Sequence, residues 1–496
     1  MTEALSAAYE HHVAGRLDAA VVLYGRILDA EPRNHAALHL LGLARIQQGD
    51  LDGATESMML AAAVSPDNPS YRSNLGTALK AQGRFDLAEE AYRQALAIDP
   101  DHVDAMANLG GVLHATGRLA AAIACLERAL PRAPDHAVTL INLGVALTDR
   151  GQLPRALTLL RRAVEVTTPA PGQPLGERGG EARWNLAVAL LMAGDHAAGW
   201  PQFEARRHRP GHALARPPGM EWDGSDPAGL TLLVHSEQGR GDSVQFARFL
   251  APLAVKGARV VLACQPELVR LLATAPGVDQ VVSTGDPLPA YDAYCPLLSL
   301  PFRLGLGGPE EWPAPAPYLA PDPVLAAGFA ARLAAAGGLR RVGVCWAGAP
   351  TNPVDGRRSL DPGLLAPLAR FTGQVAFVSL QKGIRSAALP ADLKAIDWTA
   401  ELADYADTAA LVSSLDLVVT VDTSIAHLAG ALGRPVWLLN RYDGCWRWRK
   451  GSIDSPWYPG LVQLRQEEMG DWRAPLSRLT ARLGAWLAAP SPSSTP

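Results

Sequence analysis

The sequence predicts an α + α/β chain, with a solenoid of paired helices followed by two α/β lobes. Three observations predict it. Prolines recur at Pro32, Pro66, Pro100 and Pro134, glycines at Gly42, Gly76, Gly110 and Gly144, and alanines at Ala20, Ala54, Ala88, Ala122 and Ala156, each series spaced by 34 residues. After Glu221-Trp222 that period ends, and short apolar runs alternate with helical patterns. A Pro-rich stretch, Glu311 to Pro323, then interrupts the alternation before it restarts, and reads as a linker between lobes.

Composition narrows the function classes. The chain has 496 residues, 48% hydrophobic and 19% charged, which suits two or three globular domains with ample core. A formal net charge of −4 gives no electrostatic reason to expect nucleic-acid binding. Cys125, Cys264, Cys295, Cys345 and Cys445 are scattered, without a CxxC pair, so neither a disulfide framework nor a zinc site is expected. No Asp-x-Asp pair stands out, and metal-independent chemistry is expected. The polar, acid-bearing N-terminus is unlike a signal peptide, and no apolar run is long enough to span a bilayer; the expected location is cytoplasmic. The tail, 489–496, is expected to be disordered.

The repeat has a physical logic. Small residues on the first helix and alanine on the second let the pair pack closely, and proline ends each unit because it cannot continue a helix. A large residue follows each alanine by four: Tyr24, Met58, Tyr92, Leu126 and Leu160. One unit cannot bury its face alone, so stacking is obligatory. This pattern resembles the tetratricopeptide repeat. Five units occupy residues 1–168. A segment at 169–220 holds a Pro/Gly-rich insert and a degenerate sixth unit. Asn74, Asn108 and Asn142 share the period, and Asn185 holds the equivalent place in the degenerate unit. These amides either line a groove and bind an extended peptide backbone, or bond within the repeat. O-linked N-acetylglucosamine transferases also carry an asparagine-lined repeat groove, and that resemblance favours acceptor binding.

In the second half, Leu417 to Val421 reads as a strand buried on both faces, Ile425 to Leu432 as a helix, Gly433 as its C-cap and Pro435 to Leu439 as a second strand. Open α/β sheets bind ligands beyond the carboxyl ends of their strands, where Asp422, Thr423, Ser424 and His427 fall. A helix start there suits a phosphate, though the same residues also suit a cap and a packed first turn. Thr231 to His235 is another strand, followed by the Gly-rich turn Gln238-Gly239-Arg240-Gly241-Asp242, with a helix from about Asp242. Glycines here let the backbone come close to a ligand or simply make a tight turn. Further strands are expected at Arg259 to Ala263, Asp279 to Val282, Arg341 to Trp346 and Val375 to Leu380. Helices are expected at Pro266 to Ala273, Pro362 to Phe371 and Asp407 to Ser414.

Two such lobes resemble the glycosyltransferase architecture called GT-B, with an N-lobe over 221–320 and a C-lobe over 321–488. The pieces SEQGRGDSVQFARF, YCPLLSLP, VGVCWAGAP, RRSL, VSLQKG, ADTAALVSSLDLVVTVDTSIAHLAGALGRPVWLL, CWRW and DSPWYP resemble, in order and spacing, the family 9 or heptosyltransferase-like domains fused to tetratricopeptide repeats in bacteria. The resemblance implies a sugar transferase that uses a nucleotide-sugar as substrate and needs no cofactor. It makes Asp242 the catalytic base and the Asp-Thr-x-x-x-His element the donor site, which here is Asp422, Thr423, Ser424 and His427 with Gly239 and Gly241. Arg357, Arg358 and above all Lys382 are candidate partners for the leaving phosphate. Trp446, Trp448, Trp457 and Tyr458 either stack on a base or sugar or close the lobe structurally, and Arg447 suits a phosphate or carboxylate. Related domains often carry Asp-Trp-Arg-Trp where this chain has Cys445-Trp446-Arg447-Trp448. Relatives of this layout include enzymes that glycosylate flagellin, which makes flagellin a candidate acceptor for the repeats. A lipid-linked or polysaccharide acceptor, or a non-catalytic scaffold, are the alternatives.

Overall fold

The computed structural model describes residues 3–208, 216–313, 316–335, 337, 339–352, 354–383 and 389–489. Of the tail expected to be disordered, all but Ala489 lies outside the described residues. The chain forms two compact units, Met1–Leu186 and Ala187–Pro496. Their boundary falls inside the segment read from sequence as 169–220, within the helix Glu177–Ala193.

The first unit contains ten helices from Glu3–Val13 to Leu153–Thr167 among the described residues. The 34-residue pattern is a packing pattern. A methyl group on Gly42 would lie 2.9 Å from Met58, one on Gly76 2.7 Å from the Tyr92 ring, and one on Gly144 2.5 Å from Leu160. The periodic alanines and the large residues four positions later are all buried. Asn34 and Asn68 cap helices by accepting from Ala37 N–H and Ser70 N–H, both at 3.0 Å. Gly49 and Gly151, at φ +82° and +86°, end helices in the left-handed conformation that glycine adopts without strain.

The second unit holds two all-parallel sheets. The first comprises β1 (Met220–Glu221), β2 (Thr231–His235), β3 (Arg259–Cys264), β4 (Gln280–Ser283) and β5 (Ala293–Pro296), in the order β1-β5-β2-β3-β4. The second comprises β6 (Arg340–Cys345), β7 (Val375–Ser379), β8 (Ile396–Asp397), β9 (Leu417–Val421), β10 (Val436–Asn440) and β11 (Leu461–Arg465), in the order β11-β10-β9-β6-β7-β8. β9 and β10 are buried throughout, as a continuous apolar run requires in a parallel sheet covered on both faces. Trp346, Trp437, Leu479 and Leu483 belong to the core beside them. Strand order reverses between β2 and β5 in one sheet and between β6 and β9 in the other. Crevices at such switch points are where open α/β sheets place ligands.

Several elements differ from the sequence reading. Pro362–Phe371 is a 3₁₀ helix, because Pro367 inside it has no N–H for an α ladder. The helix expected over Pro266 to Ala273 is a 3₁₀ turn, Pro266–Leu268, and one α turn, Val269–Leu272. β5 and β11 went unread because β5 is four residues ending in proline and β11 carries the polar Gln463, which is buried against Asn440. The Pro-rich linker is packed rather than free. Tyr318 within it is buried and donates to the Val244 carbonyl at 3.0 Å, and the Arg248 guanidinium lies 4.5 Å from its ring.

Candidate functional site

The site is built on the loops after β6 and β9. β9 ends at Val421, Thr423 caps the helix Ser424–Ala431 by accepting from Ile425 N–H at 3.3 Å, and Gly433, at φ +71°, follows the helix. The loop after β6 is held by Gln381, whose Oε1 accepts from Trp346 N–H at 3.1 Å and Ala347 N–H at 2.8 Å. Arg358 reaches from that loop to the next. Its Nη1 donates to the Asp422 carbonyl at 3.2 Å and its Nε to Asp355 at 3.1 Å. The switch-point loops are thus joined by a cation placed beside a helix start, a setting suited to an anion.

The N-lobe turn closes on this helix. A methyl group on Gly241 would lie 2.9 Å from His427 Cδ2 and 3.3 Å from Ser424 Cα. The glycine is therefore required by the approach of one lobe to the other. In the next position, Asp242 Oδ2 accepts from Gly239 N–H at 2.9 Å, while Oδ1 pairs with Arg447 Nη2 from the loop after β10. Asp242 thus closes the helix start with one oxygen and pairs across to the second sheet's loops with the other. Ser424 Oγ lies 2.7 Å from the Tyr405 hydroxyl.

Other candidates take different roles. His427 is buried, with Nδ1 3.0 Å from the Tyr458 hydroxyl and its ring stacked on Trp448 at 5.3 Å. Burial first, and the charge of Arg447 second, lower its pKa to about 3, so the ring is neutral at pH 7. The Asp422 carboxylate accepts from Trp448 Nε1 at 2.8 Å. Lys382, directly after β7, has its ammonium donating to the Leu402 carbonyl. Trp446, Trp448, Trp457 and Tyr458 are buried, so the stacking platform is a structural cluster: Trp457 stacks on Trp312 at 4.0 Å and Trp446 meets Trp200 edge-on at 5.7 Å. Cys445 is partly exposed, and its sulfur accepts from Arg447 at 3.1 Å.

Three of the four asparagines bond groups of the solenoid, Asn74 and Asn142 those of the preceding repeat. Asn74 Nδ2 lies 2.6 Å from His39 Nε2, Asn142 Nδ2 donates to the Ala107 carbonyl at 3.0 Å, and Asn185 Nδ2 to the Glu181 carbonyl at 3.0 Å. Asn108 is half-buried.

Sequence reasoning missed Gln245, Gln381 and Tyr405. Gln245 is fully buried, and its Oε1 accepts from Arg447 Nε at 2.5 Å. The signal available was position: Gln245 is three residues beyond Asp242, and Gln381 immediately precedes Lys382. Among the described residues, no three His, Cys, Asp or Glu side chains group to hold a metal, and no helix is long and apolar enough to cross a membrane.

A helical-repeat unit followed by a two-sheet parallel α/β unit, with a candidate site within the second unit at the switch-point loops of its sheets, defines the class. Comparison with known proteins makes it particular. Residues 14–76, 73–137, 136–168 and 180–199 match tetratricopeptide repeat models, and residues 402–449 match glycosyltransferase family 9 (heptosyltransferase). The stretch similar to family 9 contains Asp422 to His427 and Arg447. Protein FlbA of Caulobacter vibrioides is 28% identical over 347 residues, which is 64% of this chain and 57% of FlbA. Among solved structures, MamA is 24% identical, covering 32% of this chain and 93% of its own at a TM-score of 0.29. YrrB, titled a TPR protein with an unusual peptide-binding site, is 20% identical, covering 33% of this chain and 84% of its own at a TM-score of 0.28.

Proposed function

We propose that this protein is a GT-B glycosyltransferase that moves a sugar from a nucleotide-activated donor to a hydroxyl of a protein acceptor held by the repeats, with flagellin a candidate. The observation that carries the reading is the approach of the Gly239–Asp242 turn to the helix start at Thr423-Ser424, inside the segment that matches family 9. In this reading the acceptor oxygen attacks the anomeric carbon and its proton passes to Asp242. The sugar–phosphate bond breaks with its electron pair on the phosphate, whose charge is met by Arg358 and the N–H groups of the helix start. The nucleotide-sugar is a substrate, and no cofactor is invoked. The test is intact mass of flagellin, then of other proteins, from cells with and without the gene. Identical masses throughout would sink the protein-acceptor reading.

The internal bonds of Asn74, Asn142 and Asn185 favour a second reading, in which the repeats serve assembly and the acceptor is lipid-linked or a polysaccharide. Replacing Asn74, Asn108 and Asn142 with alanine separates the two. The groove reading expects protein glycosylation to fall at subsaturating acceptor while nucleotide binding holds. The assembly reading expects an unchanged rate.

A further inference from the structure

We propose that Arg447 is an exchange residue, alternating between the Asp242 carboxylate and the leaving phosphate of the donor, so that donor binding frees the base. The proposal rests on the transferase reading above. Both oxygens of Asp242 carry a hydrogen-bond donor, Gly239 N–H on one and Arg447 Nη2 on the other. Each oxygen keeps a free lone-pair site, but a proton arriving at Oδ1 meets the positive charge of the paired guanidinium, so that oxygen receives the acceptor proton more readily once Arg447 has left. The Gly239 N–H is backbone and belongs to the turn itself. Arg447 is a long side chain from the other lobe, with rotatable bonds.

The surroundings of Arg447 suit an exchange. Apart from Asp242 its hydrogen-bond partners are Gln245 Oε1 at 2.5 Å and Cys445 Sγ at 3.1 Å, and its guanidinium lies 4.3 Å from the Trp446 ring. The Gln245 amide that holds it also carries a buried donor, Nε2, with no acceptor among the described residues. The turn bearing Asp242 sits against Ser424, at the helix start where the donor phosphate is placed. A phosphate offers more charge and more acceptor oxygens than a carboxylate, so it competes with Asp242 for the one guanidinium. Once Arg447 has moved, the acceptor O–H proton passes to the vacated Asp242 oxygen and the hydroxyl oxygen bonds the anomeric carbon. The sugar–phosphate C–O bond breaks with its pair on the phosphate, which Arg447 then holds.

The exchange makes a prediction of opposite signs. Full-length protein is titrated calorimetrically with UDP, GDP, ADP, CDP and CMP, and the nucleotide bound by the wild type is carried forward. Arg447→Gln should bind it about tenfold more weakly, the loss of one charge-assisted contact. Asp242→Asn, which removes the competing charge but keeps an acceptor for Gly239 N–H, should bind it more tightly, by severalfold or more, while losing transfer. A pair that only braces the lobes would move both variants the same way. Equal or weaker binding by Asp242→Asn overturns the exchange, as does unchanged binding by Arg447→Gln. If Arg447→Gln does not fold, the isosteric Asp242→Asn decides alone. A wild type that binds none of the five nucleotides overturns the donor-site reading itself, and the exchange with it.

Discussion

At the first turn of the helix Ser424–Ala431, His427 shows how burial fixes protonation. Its folded pKa of about 3 lies below the ordinary 6.5. Between those values the unfolded chain binds the extra proton, so stability present above pH 6.5 is lost as pH falls through the window. The slope from one such group is at most about 1.4 kcal/mol per pH unit. His196 and His235 in the same unit are also lowered by burial, so the informative quantity is the difference between variants. Urea denaturation from neutral to mildly acid pH should show a shallower decline for His427→Gln than for the wild type; parallel declines would remove His427 from the effect. Gly241→Ala places a methyl group against His427 and Ser424 and should cost about 1–3 kcal/mol by overpacking. Denaturant midpoints check this, and an unchanged midpoint would mean that the lobes separate freely at this contact.

At the scale of the element, the repeat helices offer a paired test of one substitution with two outcomes. Gly25 lies in the helix Leu17–Ala30 with nothing within 4 Å of an added methyl group. Gly25→Ala should therefore stabilise the chain by up to about 1 kcal/mol through helix propensity alone. Gly76 lies in the helix Pro69–Ala81, and its added methyl group would meet three atoms of the Tyr92 ring at 2.7–2.9 Å. A ring cannot fold away as a flexible chain end can, so Gly76→Ala should destabilise by about 1–2 kcal/mol despite the propensity gain. Thermal melts of the two variants should shift in opposite directions, and a shift of both upward would refute the packing role of the periodic glycines. The 34-residue pattern was legible because the same contact recurs. The β5 and β11 strands were not, because a short strand ending in proline and one with a buried Gln463 carry little periodic signal.

At the scale of the whole second unit, a buried ionic network ties the segment after the repeats to the first sheet. Arg206, 1% exposed, donates to Glu237 and to Ser299, both at 2.7 Å, and pairs with Glu204. Arg207 and Arg303 both hold Glu221 at 2.8 Å. Glu237 immediately precedes the turn that carries Asp242, and burial raises its pKa against the pull of Arg206. Arg206→Met leaves that carboxyl buried without its cation and should cost about 3–5 kcal/mol. Guanidinium unfolding of the full chain measures it; a loss under about 1 kcal/mol would show that Glu237 finds another partner or water. Within this unit, Trp200 meets Phe246 and Phe203 meets Trp446, so the last residues of the degenerate repeat pack in the same body as the sheets.

By itself the sequence determined the fold class, the repeat period and the strand-turn-helix unit at Leu417 to Leu439, because each rests on contacts between near neighbours in the chain. It also singled out Asp422, Thr423 and Ser424, which fall at a helix start beyond a buried strand, while Asp242 was singled out by the family resemblance. What each charged or polar side chain faces was decided only in three dimensions. Lys382 turns to the Leu402 carbonyl, His427 is buried and neutral, the tryptophans of the 446–457 stretch form a core, and Arg447 crosses between lobes to Asp242. The reason is separation along the chain: Asp242 and Arg447 are 205 residues apart, and no local pattern encodes a partner at that distance.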